Sequence, residues 1–154
     1  MTETTEQPQT TRGSCLCGTV KYHATGEPVL RMICYCQNCQ KFTGSVGMAN
    51  SMYLKESITI TQGHDTLRTY KDNATHNGST VERSFCGNCG SNLFCQNKET
   101  AADFFIVASG TMDLEAEQTW VPVVEFFCKD RRAWLDTNVM TRKHEQLPKT
   151  FDEI

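Results

Sequence analysis

The distribution of cysteines constrains this chain more than any other feature. Seven of its nine cysteines fall in three short clusters, Cys15 with Cys17, Cys34 with Cys36 and Cys39, and Cys86 with Cys89. Cysteines so close in sequence pair poorly as disulfides, because the Cα geometry of a disulfide is restrictive. CxC and CxxC spacings are typical of zinc sites. The sequence therefore predicts a metal-binding protein, not a disulfide framework.

The N-terminal segment and the charge distribution indicate the compartment and the partners. Residues Met1 to Arg12 are mostly Thr, Glu and Gln without an apolar run, so we expect no secretory signal and a cytoplasmic protein with reduced thiols. No apolar stretch approaches the roughly 18 residues of a membrane span. Lys and Arg are scattered and the formal net charge is −3, which does not predict a nucleic-acid surface. Small-molecule partners are expected.

Short β-type segments, separated by Gly, Asn and Pro, predict a mainly β fold of antiparallel sheets with little helix. We expect one domain over residues 13–141, a disordered leader over 1–12 and a polar C-terminal tail over 142–154. Single helical turns are expected at Asn38–Phe42 and Arg131–Leu135. The predicted strands are Thr19–Ala24, Val29–Cys34, Val46–Leu54, Ser57–Thr61, Leu67–Lys71, Val81–Phe85, Asn92–Cys95, Phe104–Ala108 and Val123–Phe127.

Seven clustered thiolates divide into a closed four-ligand site and an open three-ligand site. Cys86 and Cys89 form a CxxC knuckle that supplies two ligands, and Cys15 with Cys17 is the simplest source of the other two. The three cysteines of the middle cluster can then share a second ion. The opposite assignment stays open, in which the middle cluster takes a remote fourth cysteine. Cys95 and Cys128 are available for this, although their apolar neighbours predict buried, inert thiols.

The same residues carry a family resemblance. The segments that carry it are Gly13-Ser14-Cys15-Leu16-Cys17-Gly18, Cys34-Tyr35-Cys36-Gln37-Asn38-Cys39-Gln40-Lys41 with Thr43-Gly44-Ser45, Phe85-Cys86-Gly87-Asn88-Cys89-Gly90-Ser91-Asn92-Leu93 and Gly110-Thr111-Met112-Asp113. From about Gly13 to Leu135 the chain resembles the glutathione-dependent formaldehyde-activating enzyme family, which includes the centromere protein V domain.

The resemblance implies a β-tent, a fold of stacked, bent antiparallel sheets, with zinc knuckles and two zinc ions per chain. It implies a structural zinc held by Cys15, Cys17, Cys86 and Cys89. It also implies a catalytic zinc at the middle cluster, held by Cys34, Cys36 and Cys39. Many members have His between the first two cysteines of that cluster, where this chain has Tyr35, so we expect no proton transfer by this position.

An open zinc with three thiolates is suited to holding an incoming thiol as its thiolate, the form that attacks a carbonyl. The resemblance implies a carbon–sulfur lyase similar to S-(hydroxymethyl)glutathione synthase, which adds glutathione reversibly to formaldehyde. The partners are then a small-molecule thiol and an aldehyde. Two alternatives stay open: the same fold acting on another carbonyl substrate in a biosynthetic pathway, and a non-catalytic binding module stabilised by zinc.

Other polar and aromatic residues are weaker candidates for a functional role. Glutathione carries two carboxylates, and Lys41 is the cation nearest in sequence to the middle cluster, ahead of Arg83 and the Thr43–Ser45 turn. We expect Asp113 and Glu125 to be solvated or to cap local structure. Phe126, Phe127 and Trp134 are expected in the core. No ligand-type spacing is found for the histidines, His23, His64, His76 and His144.

Overall fold

A computed structural model describes residues 9–114 and 120–154 of the chain. Two β-sheets and one short α-helix, α1 (Gln37–Thr43), form the fold. Single 3-10 turns lie at Lys55–Ser57, Ser109–Thr111, Cys128–Asp130 and Phe151–Glu153. The strands are β1 (Thr10–Ser14), β2 (Lys21–Thr25), β3 (Leu30–Cys34), β4 (Met48–Leu54), β5 (Ile58–Gln62), β6 (Leu67–Asp72), β7 (Val81–Cys86), β8 (Asn92–Gln96), β9 (Phe104–Ala108), β10 (Val124–Phe126) and β11 (Arg142–Lys143).

The smaller sheet has the strand order β1-β2-β5, and the larger has the order β11-β10-β3-β4-β9-β8-β7-β6. The prediction of a mainly β fold with stacked sheets and little helix is confirmed. The larger sheet is not wholly antiparallel, however, because β10 pairs in parallel with both β3 and β11. Parallel neighbours need a long crossover connection, and about 90 residues separate the end of β3 from the start of β10 in sequence.

The main core lies between the two sheets. Tyr22 of the smaller sheet packs edge-on against Phe94 of the larger, with ring centroids 5.0 Å apart. Tyr53 and Val107 lie in the same cluster, and all four side chains are almost completely buried. Burial of large apolar side chains on the facing surfaces of two sheets is the principal source of stability in such a fold.

The opposite face of the larger sheet carries α1, and we call it the helix face. Residues opposed across antiparallel strands project to the same side of a sheet. Cys34 is opposed to Met48 across β3 and β4, and Cys95 of β8 is opposed to Arg83 of β7. Cys39 of α1 packs with Met48 and Cys95 in a small buried cluster. The middle cysteine cluster is therefore built on the helix face, away from the main core.

The strands predicted from the sequence are largely correct. All nine predicted strands are present with ends within two residues, and the turn predicted at Asn38–Phe42 is α1. The helical turn predicted at Arg131–Leu135 is wrong: the Arg131 amide donates to the Cys128 carbonyl at 3.2 Å and the Leu135 amide to the Arg132 carbonyl at 3.0 Å, and these two isolated turns form no helix there. Trp134 is 74% exposed and not in the core, whereas Phe126 and Phe127 are buried as expected.

The structure extends beyond the expected domain limits at both ends. The segment predicted as a disordered leader includes the start of β1 at Thr10, which pairs with Thr25 of β2; residues 1–8 of that segment lie outside the described residues. In the predicted polar tail, β11 pairs with β10 and the Phe151 ring stacks on Phe104. Backbone pairing at sheet edges requires no apolar pattern, which is why these polar segments are ordered. No helix within residues 9–114 and 120–154 is long and apolar enough to cross a membrane.

Candidate metal centres

The first candidate metal centre joins the two sheets. Cys15 follows β1 of the smaller sheet, Cys86 ends β7 of the larger, and Cys17 and Cys89 lie in the turns that follow. All four sulfurs lie within 4.8 Å of one another, and Cys17 Sγ is 3.5 Å from Cys15 Sγ and 3.9 Å from Cys86 Sγ. Tetrahedral zinc with Zn–S bonds of about 2.3 Å needs sulfurs about 3.8 Å apart. The donor set therefore fits a closed four-thiolate zinc site.

Two glycines shape the turns that carry these ligands. Gly18 follows Cys17 with φ of 72°, and Gly90 follows Cys89 with φ of 75°. A side chain is strained in this left-handed region, so glycine is the residue that permits the chain to turn immediately after each ligand. The Gly90 amide also donates to the Cys86 carbonyl at 2.8 Å, which closes the CxxC turn.

Polar groups around the first centre favour the thiolate form of Cys17, whereas burial raises the pKa of Cys86 to about 11. The Val20 amide donates to Cys15 Sγ at 3.2 Å. Hydrogen bonds with Thr19 and then Asn88, whose side-chain amide lies 3.3 Å from the sulfur, lower the pKa of Cys17 to about 5. Thiolate is the form that binds metal, so these contacts prepare the site for an ion.

The second candidate centre is built from Cys34, Cys36 and Cys39. Cys34 ends β3, Cys36 is the N-cap of α1, and Cys39 lies in the first turn of the helix. Their three sulfurs lie within 4.8 Å of one another. The Cys39 amide donates to Cys36 Sγ at 3.4 Å, so the N-cap hydrogen bond of the helix ends on a ligand. The CxCxxC spacing thus brings the three sulfurs to one point at a strand–helix junction.

Hydrogen bonds among the sulfurs of the second centre shift the pKa values of Cys34 and Cys36 in opposite directions. Hydrogen bonds from Cys34 and then Cys39 lower the pKa of Cys36 to about 3. Hydrogen bonds with Cys36 and then Cys39, together with burial, raise the pKa of Cys34 well above its ordinary value. Three sulfurs at one point form a soft donor set that fits zinc.

A fourth protein ligand is not found at this centre. Within the part of the chain that the structure describes, no fourth Cys, His, Asp or Glu offers an atom within 4.8 Å of all three sulfurs. Cys95 is buried and its sulfur lies 3.8 Å from Arg83 Nη1, while Cys128 Sγ donates to the Glu125 carbonyl at 3.7 Å. Neither cysteine joins the trio in the way that the alternative assignment requires.

The two cations proposed as glutathione contacts lie in different settings. Arg83 is 5% exposed and its Nε donates to Asp72 Oδ2 at 2.8 Å, so its charge is already paired with a protein carboxylate. Lys41 is exposed in the last turn of α1 and forms no ion pair with a described residue.

The Thr43–Ser45 turn ends the helix: the Thr43 hydroxyl donates to the Cys39 carbonyl at 2.8 Å, and Gly44 is the left-handed C-cap.

Sequence reasoning missed a buried polar network beside Cys39. Asn38 Nδ2 donates to both oxygens of Asp72, at 3.0 and 2.9 Å, and Arg83 Nε donates to the same carboxylate. Burial raises the pKa of Asp72, but these hydrogen bonds outweigh it and hold the pKa below its ordinary value. Arg83 Nη1 in turn points to Cys39 Sγ at 3.9 Å. The sequence gives no signal for the network because its members come from β6, β7 and α1.

The expectation of a solvated or capping Glu125 is wrong. Glu125 is completely buried and accepts hydrogen bonds from the hydroxyls of Tyr35, at 2.7 Å, Thr137 and Thr141. Burial raises the pKa of Glu125, but the three hydroxyls outweigh it, so that the pKa lies below its ordinary value. Asp113, by contrast, is exposed. The Tyr35 hydroxyl therefore donates to this carboxylate and to no cysteine.

The histidines stay outside both centres. Among the described residues, none of the four joins a group of three or more potential ligands. His64 contacts the Ile60 carbonyl at 3.1 Å, while the rings of His76 and His144 pack against Phe127 and Phe126.

Comparison with known proteins gives a family and a fold. The profile of the family described as "Glutathione-dependent formaldehyde-activating enzyme" matches residues 10–130, which contain both cysteine centres. No curated protein matches the chain. Among solved structures, a crystal structure of a Rhodobacter sphaeroides protein, a Northeast Structural Genomics target, is similar at a TM-score of 0.51 and 19% identity. The match covers 70% of this chain and 90% of that one, and it supports the fold alone. With most of its length matched by the family profile and two cysteine centres that fit zinc, this chain belongs to the glutathione-dependent formaldehyde-activating enzyme family.

Proposed function

We propose that this chain is a carbon–sulfur lyase that uses two zinc ions and adds glutathione, or another thiol, reversibly to formaldehyde or a related aldehyde. Cys34, Cys36 and Cys39 would hold the catalytic zinc, and the four-cysteine centre the structural one. The observation that carries the proposal is the convergence of three sulfurs with no fourth ligand from the described residues within 4.8 Å. Family membership supports the pair of substrates.

The reaction joins the thiol sulfur to the carbonyl carbon, and the thiol proton ends on the oxygen that becomes the product hydroxyl. Cys34, Cys36 and Cys39 would hold the zinc ion, which would supply Lewis acidity that favours the thiolate form of an incoming thiol. The chain contributes orientation: the Cys39 amide and the Arg83 guanidinium direct donors at the ligand sulfurs, which fixes the trio before substrate arrives. No oxidant or reductant is required.

Substrate contacts are proposed at two further residues. Lys41, exposed on α1 two residues after Cys39, is placed to attract a glutathione carboxylate. Asn50 lies on the helix face, two residues along β4 from the partner of Cys34, and is 3% exposed. Its Nδ2 donates to the Met48 carbonyl at 3.1 Å, while its Oδ1 has no hydrogen-bond partner among the described residues. A buried acceptor without a donor is costly, and the hydroxyl of the adduct would satisfy it.

All nine cysteines are free, which suits a reducing compartment, and we propose a cytoplasmic location.

Exchange spectroscopy by NMR on glutathione and formaldehyde tests the activity directly. The zinc-loaded protein should speed the interconversion of the free thiol and its hydroxymethyl adduct, whereas Cys36→Ser should not. Cys128→Ser is the matched control, since this thiol lies outside both centres, and it should retain the effect. Exchange rates that the native protein leaves unchanged would reject this pair of substrates.

A further inference from the structure

Arg83 is the one buried cation that faces the cysteines on the helix face, among the residues described. Its Nη1 lies 3.9 Å from Cys39 Sγ and 3.8 Å from Cys95 Sγ. The side chain is 5% exposed, and its guanidinium carbon lies 5.2 Å from the centroid of the Phe42 ring in α1. A buried guanidinium needs both charge compensation and several acceptors. Two sulfurs, a carboxylate and an aromatic face provide them here.

The orientation of this cation is fixed by groups that have no contact with the sulfurs. Asp72 accepts from Arg83 Nε at 2.8 Å and is itself 6% exposed. Asn38 donates from Nδ2 to both carboxylate oxygens and to the Ala74 carbonyl, so Asp72 is held in place from α1. The guanidinium of Arg83 therefore faces Cys39, and the carboxylate of Asp72 faces away from it.

The positive charge of Arg83 matters because a metal centre rich in thiolates is negatively charged. Zinc with three thiolates carries a net charge of about −1, and a fourth thiolate makes it about −2. In a partly desolvated site such charge accumulation is unfavourable unless a fixed cation lies nearby. Arginine keeps its charge under all ordinary conditions, and a charge-assisted hydrogen bond to a ligand also fixes that ligand's position.

We propose that Arg83 is a positioning residue of the three-cysteine centre: it holds Cys39 in its ligating orientation and compensates the negative charge, so that the centre accepts an anionic sulfur as its exchangeable ligand. The inference rests on the proposed function only in taking this trio as the metal site. The class of ligand that it favours is a thiolate over a neutral donor such as imidazole.

Zinc affinity, measured by competition with a chromophoric chelator, tests the first part without reference to activity. Arg83→Met should weaken zinc binding at the three-cysteine centre about tenfold to a hundredfold, the range found when outer-shell partners of metal ligands are removed. Arg83→Lys keeps the charge and should recover most of this loss. The four-cysteine centre should keep its zinc in every variant. Arg31→Met is the matched control, because Arg31 pairs with Glu27 at the surface, and it should change neither centre.

Thiolate binding separates an electrostatic role from a merely structural ion pair. In cobalt-substituted protein, the sulfur-to-cobalt charge-transfer band reports binding of added glutathione, and imidazole serves as the neutral probe. Arg83→Met should weaken glutathione at least tenfold more than imidazole. Asp72→Asn keeps a side-chain oxygen that can accept from Arg83 Nε, so the cation stays facing the sulfurs, and this variant should weaken glutathione far less than Arg83→Met does. Equal losses in Arg83→Met and Asp72→Asn would overturn the proposal, because an ion pair that serves only the fold predicts the same effect from either side.

Arg83→Met leaves a buried carboxylate unpaired and can unfold the chain. The double variant Arg83→Met with Asp72→Asn removes both charges, and in this folded background the loss of zinc and of glutathione affinity should persist. Unchanged affinities in the folded double variant would overturn the inference. Native protein that fails to accelerate formaldehyde exchange, yet loses zinc affinity on Arg83→Met, would reject the proposed function and leave the inference intact.

Discussion

The hydrogen bond between Tyr35 and Glu125 provides a quantitative test of how the three-cysteine centre is supported. Tyr35 separates two of the ligands in sequence, is 1% exposed, and donates at 2.7 Å to a carboxylate with no exposed surface. Tyr35→Phe removes one donor and leaves that carboxylate with two hydroxyls, those of Thr137 and Thr141. Hydrogen bonds to charged groups contribute about 1.5–3 kcal/mol to the free energy of unfolding. We expect Tyr35→Phe to lose that amount.

For a chain of this length, a loss of about 1.5–3 kcal/mol lowers Tm by roughly 3–12 °C. The assay is thermal or urea unfolding of the zinc-loaded protein at neutral pH, with zinc content measured on the same samples. Two zinc ions per chain should be retained, because all seven ligands are untouched. Tyr22→Phe is the matched control: its hydroxyl contacts that of Thr111 at 2.8 Å, a neutral pair that contributes only about 0.5–1.5 kcal/mol.

A double-mutant cycle with Glu125→Gln isolates the bond itself. The two substitutions should be clearly non-additive, since either one already removes the charge-assisted bond. The reasoning would be refuted if Tyr35→Phe unfolded within about 1 °C of the native protein, or if it cost no more than Tyr22→Phe. Either result would mean that the carboxylate finds another donor when the phenol hydroxyl is absent.

The other predictions concern ligands and substrate. Cys86→Ser should leave one zinc per chain and unfold all or part of the protein, because structural zinc contributes on the order of 10 kcal/mol in small modules. Cys36→Ser should retain the structural zinc and the fold but lose the catalytic activity; equal effects on folding would favour two structural ions. Lys41→Ala should raise KM for glutathione severalfold with kcat little changed, whereas Lys55→Ala, the control at a distant 3-10 turn, should alter neither; an unchanged KM in Lys41→Ala would remove this contact.

The cysteine centres were predictable because most of their information is local. A CxC or CxxC spacing places sulfurs within reach of one ion whatever surrounds them, and Gly18 and Gly90 mark the turns that follow. The strands were equally accessible, since β-type runs between turn residues need no knowledge of their partners. β1 and β11 were not predicted. Their pairing at the sheet edges relies on backbone hydrogen bonds, and the polar side chains at those positions have no alternating apolar pattern.

The groups that support the two centres are brought together by strand pairing, and the spacing of residues in the sequence does not reveal which strands pair. Arg83 reaches Cys39 only because β7 lies beside β8 and α1 crosses the helix face. Glu125 is buried only because Thr137 and Thr141, 12 and 16 residues later, return to donate to it. Trp134 shows the opposite failure: a large aromatic side chain predicts burial, yet the turn that carries it leaves it on the surface.

The different sequence spans of the two centres have a consequence for how the chain acquires metal during synthesis. The trio is complete once residue 39 has left the ribosome, whereas Cys17 lies 69 residues before Cys86. At a synthesis rate of about 5–20 residues per second, Cys17 waits roughly 4–14 s before Cys86 is added to the chain. Nascent chains therefore carry all three sulfurs of the second centre, although not yet Arg83, well before the two sheets can be joined. Zinc in the cell would meet the three-cysteine centre first and the four-cysteine centre afterwards.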